Sequence, residues 1–489
     1  MITNYLELFH VLLPEAALVM GALLVLGVDL TSGRRQSLDR RTRVAAGLGV
    51  LALAAAAYFA MGAGAGGEIF GGVFILDPLA LATRLGVFVL AALTLALLPG
   101  VGRMNQPAED VALLLLATVG FSLMAVSQQL LIGFLALELA SLSLYVLTGF
   151  DKSRPESAEA ALKYFLFGGM SAAFLLFGFS LIYGLTGSIA FPEIAVQLSR
   201  QEPSTLLLVA LVMIIVSFGF KAAAAPFHLW APDVYQGAPL PSAALIASAS
   251  KLAGLILFTR LLWSSAGPAA GSVSTLDTLP GWLPVLALLA LASLLLGNIA
   301  ALAQTNVRRL LAYSAIAHAG GLLLGVMAAG RLGPAPLFYY AATYGLATVG
   351  AFGVIAVVDA SGGCHRITDL AGLHRRSPLL AICLVVFILS LAGIPPLAGF
   401  FGKFAVYSAA LKISGMSGII GWLTLLAIGL SAVALYYYLI VLKQAVIAAP
   451  AEGFGRIRVG MSAGAALVLS AVLLVLLGLF PSYVLRLIG

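Results

Sequence analysis

Five titratable side chains stand in otherwise apolar runs. They are Glu138 in "LLIGFLALELASLSLYVL", Lys221 in "SFGFKAAAAPF", Lys251 in "ASASKLAGLILF", His318 in "YSAIAHAGGLLLG" and Lys403 in "AGFFGKF". Residues of these types bind and release protons, and a row of them can pass protons along. A charge at the centre of a lipid bilayer costs at least ~2.5–3.5 kcal/mol, so side chains of this kind must face one another or water. Glu138 with one lysine would make an ordinary structural pair. One acid cannot neutralise Lys221, Lys251, Lys403 and the nearby Lys163, however, and that surplus of base points to chemistry. A low dielectric disfavours the charged form of an unpaired lysine, which lets it exchange protons near neutral pH. His318 stands either as a satisfied core histidine or, at the same depth as the lysines, as a further relay group.

Two stretches must break the backbone beside these residues. "SFGFKAAAAPFHLWAPDVYQGAP" (Ser217 to Pro239) places Pro226 next to Lys221, and "SLAGIPPLAGFFGKF" (Ser390 to Phe404) places Pro395 and Pro396 before Lys403. Proline removes an N–H and clashes with the preceding turn. Broken backbone at membrane depth is tolerated only where it is buried in protein or lines a cavity. Freed carbonyls and water are therefore expected in each gap, with Gly393 and Gly399 loosening the second. His228, two residues past Pro226, is placed to extend a path from the first break. Lys163 either reaches for the membrane surface or modulates Glu138 or Lys221 from the adjacent helix.

The elements that carry these residues follow from composition. Of 489 residues, 62% are hydrophobic and 9% charged, and mean hydropathy is +1.10; soluble chains carry about 25% charged residues. The two cysteines, Cys364 and Cys383, show no CxxC or zinc spacing, and the histidines of "CHRITDLAGLHRR" are too loosely spaced for a metal. That segment reads as a solvated loop. "GAGAGG" (Gly62 to Gly67) opens no helix and is no nucleotide motif. The basic balance fits an excess of positive loops on one membrane side rather than nucleic acid. The first residues lack the charge pattern of a signal peptide and read as mature chain.

Windows of roughly 20 apolar residues predict fourteen spans: 8–29, 44–61, 73–98, 108–126, 129–149, 158–185, 205–236, 237–262, 281–303, 308–329, 334–358, 378–411, 418–442 and 460–486. With the N-terminus outside, sixteen Lys and Arg fall in inner loops, among them Arg34, Arg35 and Arg103, against five outside. Both termini are thus expected on the outer side, with 31–43 and 359–377 inside. The breaks fall in spans seven and twelve. Five spans apart is an odd number, so spans 4–8 and 9–13 would run in opposite senses, the layout of an inverted repeat. The expected fold is an all-α integral membrane protein. Its segments are residues 1–107 (helices 1–3), 108–262 (repeat unit 1), 263–447 (repeat unit 2) and 448–489 (helix 14). Arg84, with its fixed charge, is expected to snorkel to lipid headgroups. Glu15 and Asp29 are expected to cap or to contact another subunit, and "ALYYYLIV" (Ala434 to Val441) to pack at the interface.

These motifs resemble the antiporter-like membrane subunits of respiratory complex I, most specifically through "FKAAAAPFHLWAPDVY". In that family a Glu on helix five and Lys on helices seven and eight lead to a titratable group on helix twelve. Glu138, Lys221, Lys251 and Lys403 match those positions, and His318 matches a helix-ten histidine. Three types exist. The L type continues into a long lateral helix, whereas this chain ends at Gly489; the M type usually has Glu where Lys403 stands. "LLPEAALVMGALLVLGVDL" and "RLLAYSAIAHAGGLLLG" look like the N type.

The resemblance implies a proton-translocating subunit of NADH-quinone oxidoreductase in the bacterial inner membrane, with no cofactor of its own. FMN and iron–sulfur clusters would sit in partner subunits, quinone would act through the complex, and neighbouring membrane subunits and lipid would be the direct contacts. Two rivals share some of these features. One is a subunit of a multisubunit cation/proton antiporter; the other is a stand-alone secondary transporter, which would need a sizeable substrate cavity. A scaffold without transport would leave the surplus lysines unexplained.

Overall fold

The computed structural model describes residues 5–488 apart from 32, 34, 35, 65, 102–104, 203, 274–279, 417 and 451–454. Arg34, Arg35, Arg103 and Gly489 therefore lie outside the described residues. Among the described residues, thirteen helices are long and apolar enough to cross a membrane, and the shorter Pro378–Ala392 is continued across a gap by Ala398–Ser414. Helix starts follow local chemistry. Pro78, Pro107, Pro155 and Pro378 each open a helix, where the missing N–H costs nothing. Asp77 accepts from the Ala80 N–H at 2.6 Å, and Asn306 accepts from the N–H groups of Arg308 and Arg309 at 2.9 and 3.2 Å.

Some boundaries differ from expectation. The third span starts at Pro78, because 67–76 fold into a two-stranded antiparallel hairpin, Gly67–Ile69 with Phe74–Leu76. Its turn uses Gly71 and Gly72 at φ 68° and 81°, a region glycine enters without strain. The fourteenth helix ends at Leu479 rather than near 486. Phe480 leaves helical geometry, and Pro481 opens a separate eight-residue helix, Pro481–Ile488.

Both expected breaks are present. The seventh span runs as Thr205–Ala222, turns at Ala223 (φ 57°, ψ 39°) and resumes as Ala231–Gly237. The twelfth stops at Ala392 with Gly393 in the left-handed region (φ 87°) and resumes at Ala398. Protein groups satisfy much of the freed backbone in each gap. The Ala225 N–H donates to Ser293 Oγ at 2.8 Å, and the Trp230 indole N–H donates to the Phe220 carbonyl at 3.1 Å. In the second break the Gly399 N–H donates to Ser390 Oγ at 3.2 Å, and the Lys403 ammonium itself donates to the Ala392 carbonyl at 2.9 Å.

Burial ranks the helices. Leu240–Ser264 is wholly buried over its apolar window, and Val307–Leu332 and Ala335–Ala360 are 94% buried, whereas Pro155–Thr186 is 33% buried. Spans eight, ten and eleven are therefore the core, and they carry Lys251, His318 and a set of tyrosines. Close backbone contact holds span nine against span ten: a Cβ on Gly297 would meet the Ala317 nitrogen at 2.4 Å, one residue from His318. Gly297→Ala is expected to destabilise by about 1–3 kcal/mol through overpacking. A melting temperature equal to that of the parent complex would show that the two helices can part freely.

Arg84 and Glu15 do not behave as the sequence led us to expect. Arg84 is 1% exposed, inside the bundle rather than at its surface. It donates to Glu15 Oε1 at 2.8 Å and to the Val11 carbonyl at 3.2 Å, while Ser122 Oγ donates to the same Glu15 oxygen at 2.5 Å. The pair fastens the first helix to the third and fourth. Asp29 likewise pairs with Arg41 at 2.6 Å, joining the first two helices. Removing one member of a buried pair strands the other charge, at about 3–5 kcal/mol. Glu15→Gln should thus lower thermal stability sharply, and E15Q/R84M should recover much of it. A double variant no better than E15Q would contradict the pairing.

The segment 364–376 also departs from a solvated loop. Cys364, Leu370, Leu373 and Arg376 are buried. The Val307 N–H donates to the His365 carbonyl at 3.1 Å and the Ile367 N–H to the Thr305 carbonyl at 3.0 Å. Burial pushes the Cys364 thiol up to about 12, which leaves it an inert packing residue.

Candidate functional site

The five titratable residues lie on neighbouring elements, joined by direct contacts at some steps and separated at others. Glu138, half-buried on the helix Leu130–Thr148, lies one turn before Ser141. The Lys221 ammonium donates to Ser141 Oγ at 3.1 Å, so a hydroxyl links the acid's helix to the first lysine. Lys221 occupies the last turn before the first break. It packs on Gly254, where a Cβ would stand 3.0 Å from Lys221 Cγ. Gly254 is one turn after Lys251. The two lysines line a single seam with Phe218 and Phe258, and this seam has essentially no free volume. A water needs roughly 10–15 Å³. Proton passage between Lys221 and Lys251 therefore requires the side chains to swing or the seam to open.

Lys251 donates to the Ala315 carbonyl at 2.9 Å and lies 5.1 Å from the centre of the Tyr344 ring. The same ring also neighbours His318, with ring centres 4.8 Å apart. His318 Nδ1 is 2.7 Å from the Tyr340 hydroxyl, and Nε2 is 3.3 Å from the Tyr438 hydroxyl. In neutral imidazole one nitrogen donates while the other accepts, so each tyrosine can take either part. Tyr438 is in turn hydrogen-bonded to Ser314. His318, Tyr340, Lys403 and Tyr407 line a cavity of about 20 Å³, enough for one water. Lys403 stands on its far side, bonded to the Ala392 carbonyl of the second break.

Lys221, Lys251, His318 and Lys403 are each no more than 8% exposed. Among the described residues, none of the three lysines lies within 4.0 Å of a carboxylate. Lys163 is different. It is half-exposed and pairs with Asp233 at 2.6 Å and Glu159 at 2.7 Å, which removes it from the surplus. Among the described residues it forms no hydrogen bond or ion pair with Glu138 or Lys221. His228 is buried in the first break, and its Nδ1 has no hydrogen-bond partner among the described residues. The structure does not join it to those five residues.

Several participants were not singled out from sequence. Ser141, Ser293, Tyr340 and Tyr344 received no role, and "ALYYYLIV" was assigned to the interface. Tyr437 and Tyr438 are in fact buried, with the Tyr437 hydroxyl donating to Asn298 Oδ1 at 3.3 Å, whereas Tyr436 is 62% exposed. One available signal was the four-residue spacing of Tyr340 and Tyr344, which puts both hydroxyls on one helix face. His318→Phe should lower proton transport more than Tyr344→Phe, because imidazole exchanges protons near neutral pH and a phenol does not. Equal losses in vesicle pumping assays would place the effect in packing.

Comparisons with known proteins give the family. Residues 127–431 match the family model described as NADH:quinone oxidoreductase/Mrp antiporter, TM. NADH-quinone oxidoreductase subunit N 2 of Acidobacterium capsulatum is 47% identical over 99% of both chains. Subunit N of Moorella thermoacetica is 38% identical over 98% of this chain and 96% of that one. A chain of respiratory complex I from Thermus thermophilus with bound aureothin superposes with a TM-score of 0.78 at 33% identity, covering 97% of this chain and 98% of that one. A chain of the Mrp complex from Dietzia sp. shares the fold alone, with a TM-score of 0.81 at 21% identity over 99% of this chain and 96% of that one. The family model spans well over half of the chain and the relatives nearly all of it: the chain belongs to the NADH-quinone oxidoreductase subunit N family of antiporter-like membrane proteins.

Proposed function

We propose that this chain is a proton-translocating membrane subunit of NADH-quinone oxidoreductase, and that protons pass along Glu138, Lys221, Lys251, His318 and Lys403. The observation that carries the reading is the trio of buried lysines with no carboxylate in contact among the described residues. Such groups are costly to a membrane protein and retained where they serve a pathway. Redox work belongs to partner subunits holding FMN and iron–sulfur clusters, with quinone reduced in the complex. Each charge moved against 100 mV requires ~2.3 kcal/mol. Changes in charge on one member of the row shift its neighbours electrostatically, and Ser141, Tyr340 and Tyr344 fill the intervals. The cavity at His318 and Lys403 suits water rather than an organic solute.

The membrane is the bacterial inner membrane, with the arginine- and lysine-rich end of the bundle inside and both termini outside. The two halves around the breaks form units 108–262 and 263–447. Support for the second point is the parallel placement of a left-handed turn, a proline and a lysine in each. Affinity purification of the native assembly through this chain tests the whole reading. Recovery of NADH:quinone activity with flavin- and iron–sulfur-bearing partners is expected. An assembly that exchanges cations for protons and holds no NADH-oxidising partner would replace the proposal with the antiporter reading.

A further inference from the structure

At the basic end of the bundle, Asp233 is gripped from two sides. It lies on Ala231–Gly237, the second half of broken helix seven. Lys163, on Pro155–Thr186, contacts its Oδ2 at 2.6 Å, and Arg309, on Val307–Leu332, contacts its Oδ1 at 2.6 Å. The short segment is held further at Gln236, whose side-chain carbonyl accepts from Arg309 at 3.0 Å and whose backbone carbonyl accepts from Arg308 at 3.3 Å. Arg308 is anchored to Asp359 at 2.9 Å, and Asn306 fixes the turn that presents both arginines. A seven-residue helix is too short to hold its own geometry. Its position depends on these contacts.

The same segment leads to Lys221. Trp230, three residues before Asp233, stacks on Tyr164 with ring centres 4.5 Å apart and planes 10° apart. Tyr164 is the neighbour of Lys163, so one turn of helix six holds both Asp233 and Trp230. The Trp230 indole then donates to the carbonyl of Phe220, the residue beside Lys221. We propose that Asp233 is a positioning residue for proton transfer: it is the shared anion through which helices six and ten hold the second half of helix seven, and thereby Lys221, in place. The relay groups His318 and Lys221 are linked by this clamp without touching it, since Arg309 and His318 share one helix. The inference rests on the relay reading for its effect on pumping, but not for its effect on structure.

The test uses the intact complex with two readouts: backbone hydrogen exchange over 223–237 and protons pumped per NADH oxidised. Asp233→Asn leaves Arg309 facing a neutral amide, together with a Lys163 that keeps only Glu159 on its own helix. Exchange across 223–237 should rise about threefold or more for the loss of paired charges in a network, and the proton-to-NADH ratio should fall at unchanged complex content. Asp233→Glu should restore both in large part. D233N/R309Q should be no worse than D233N, because the shared anion is already gone. Unchanged exchange in D233N, or a D233E variant as impaired as D233N, overturns the clamp. Raised exchange with parental pumping overturns its link to Lys221. Failure of the relay itself would appear elsewhere, as full pumping without Lys221 and Lys251, and would leave the exchange result standing.

Discussion

Lys221→Arg and Lys251→Arg are expected to pump almost as poorly as the corresponding alanine variants. Both parent side chains are buried with no carboxylate in contact among the described residues. Guanidinium stays protonated under all ordinary conditions, so it supplies the charge of lysine without the ability to release a proton. It is also larger and planar. At position 221 the side chain already packs on Gly254, and at 251 the ammonium fits between the Ala315 carbonyl and the Tyr344 ring. Assembly should survive, and NADH oxidation by the uncoupled complex should remain near the parent rate, as the proposed assignment of redox work to partner chains requires. Proton transport measured by dye quenching in inverted vesicles should drop to near the alanine level. An arginine variant pumping at the parent rate would mean that a fixed positive charge suffices and that no proton resides on these side chains.

Lys403 separates two possible roles by its replacement. Its ammonium both stands beside the water-sized cavity at His318 and satisfies the Ala392 carbonyl at the second break. Methionine removes the titratable group and leaves that carbonyl unpaired, a desolvation penalty of about 1–3 kcal/mol. Glutamate places a proton-binding group at the same site, but can donate to the Ala392 carbonyl only in its protonated form. Lys403→Met should therefore lose most of the transport, and Lys403→Glu should retain part of it. Equal transport in the two variants would take away the titratable role and leave only the backbone bond. A structure with Lys403 directed into lipid would remove both.

Much of this arrangement was legible before any coordinates. Apolar runs define the helices because each must satisfy its own backbone in lipid, and Pro226, Pro395 and Pro396 mark breaks because proline has no N–H to offer. Titratable residues in apolar runs name themselves. Partnership is what sequence hides. Arg84 was assigned to headgroups because its partner Glu15 lies 69 residues away, and nothing local reveals a buried pair. Lys163 was counted as surplus although Glu159 stands four residues before it, and its second partner Asp233 sits 70 residues further along the chain. The tyrosines show a different limit. Tyr436, Tyr437 and Tyr438 are adjacent in sequence but point about 100° apart on a helix, so one faces outward and two reach the core. Span ends were misplaced where a polar turn could be absorbed into an apolar window, as at Phe480 and in the 67–76 hairpin.

Most direct is the ratio of protons pumped to NADH oxidised by the intact complex in sealed liposomes, with Lys221→Met and Lys251→Met introduced together. Methionine matches lysine in length and replaces a buried charge with apolar volume, a change that proteins commonly tolerate or gain from, so folding and quinone reduction should persist. Proton passage along the buried row requires that the ratio fall below that of the parent at equal electron flux. A ratio identical to the parent, in a complex verified to contain the doubly substituted chain, would contradict it.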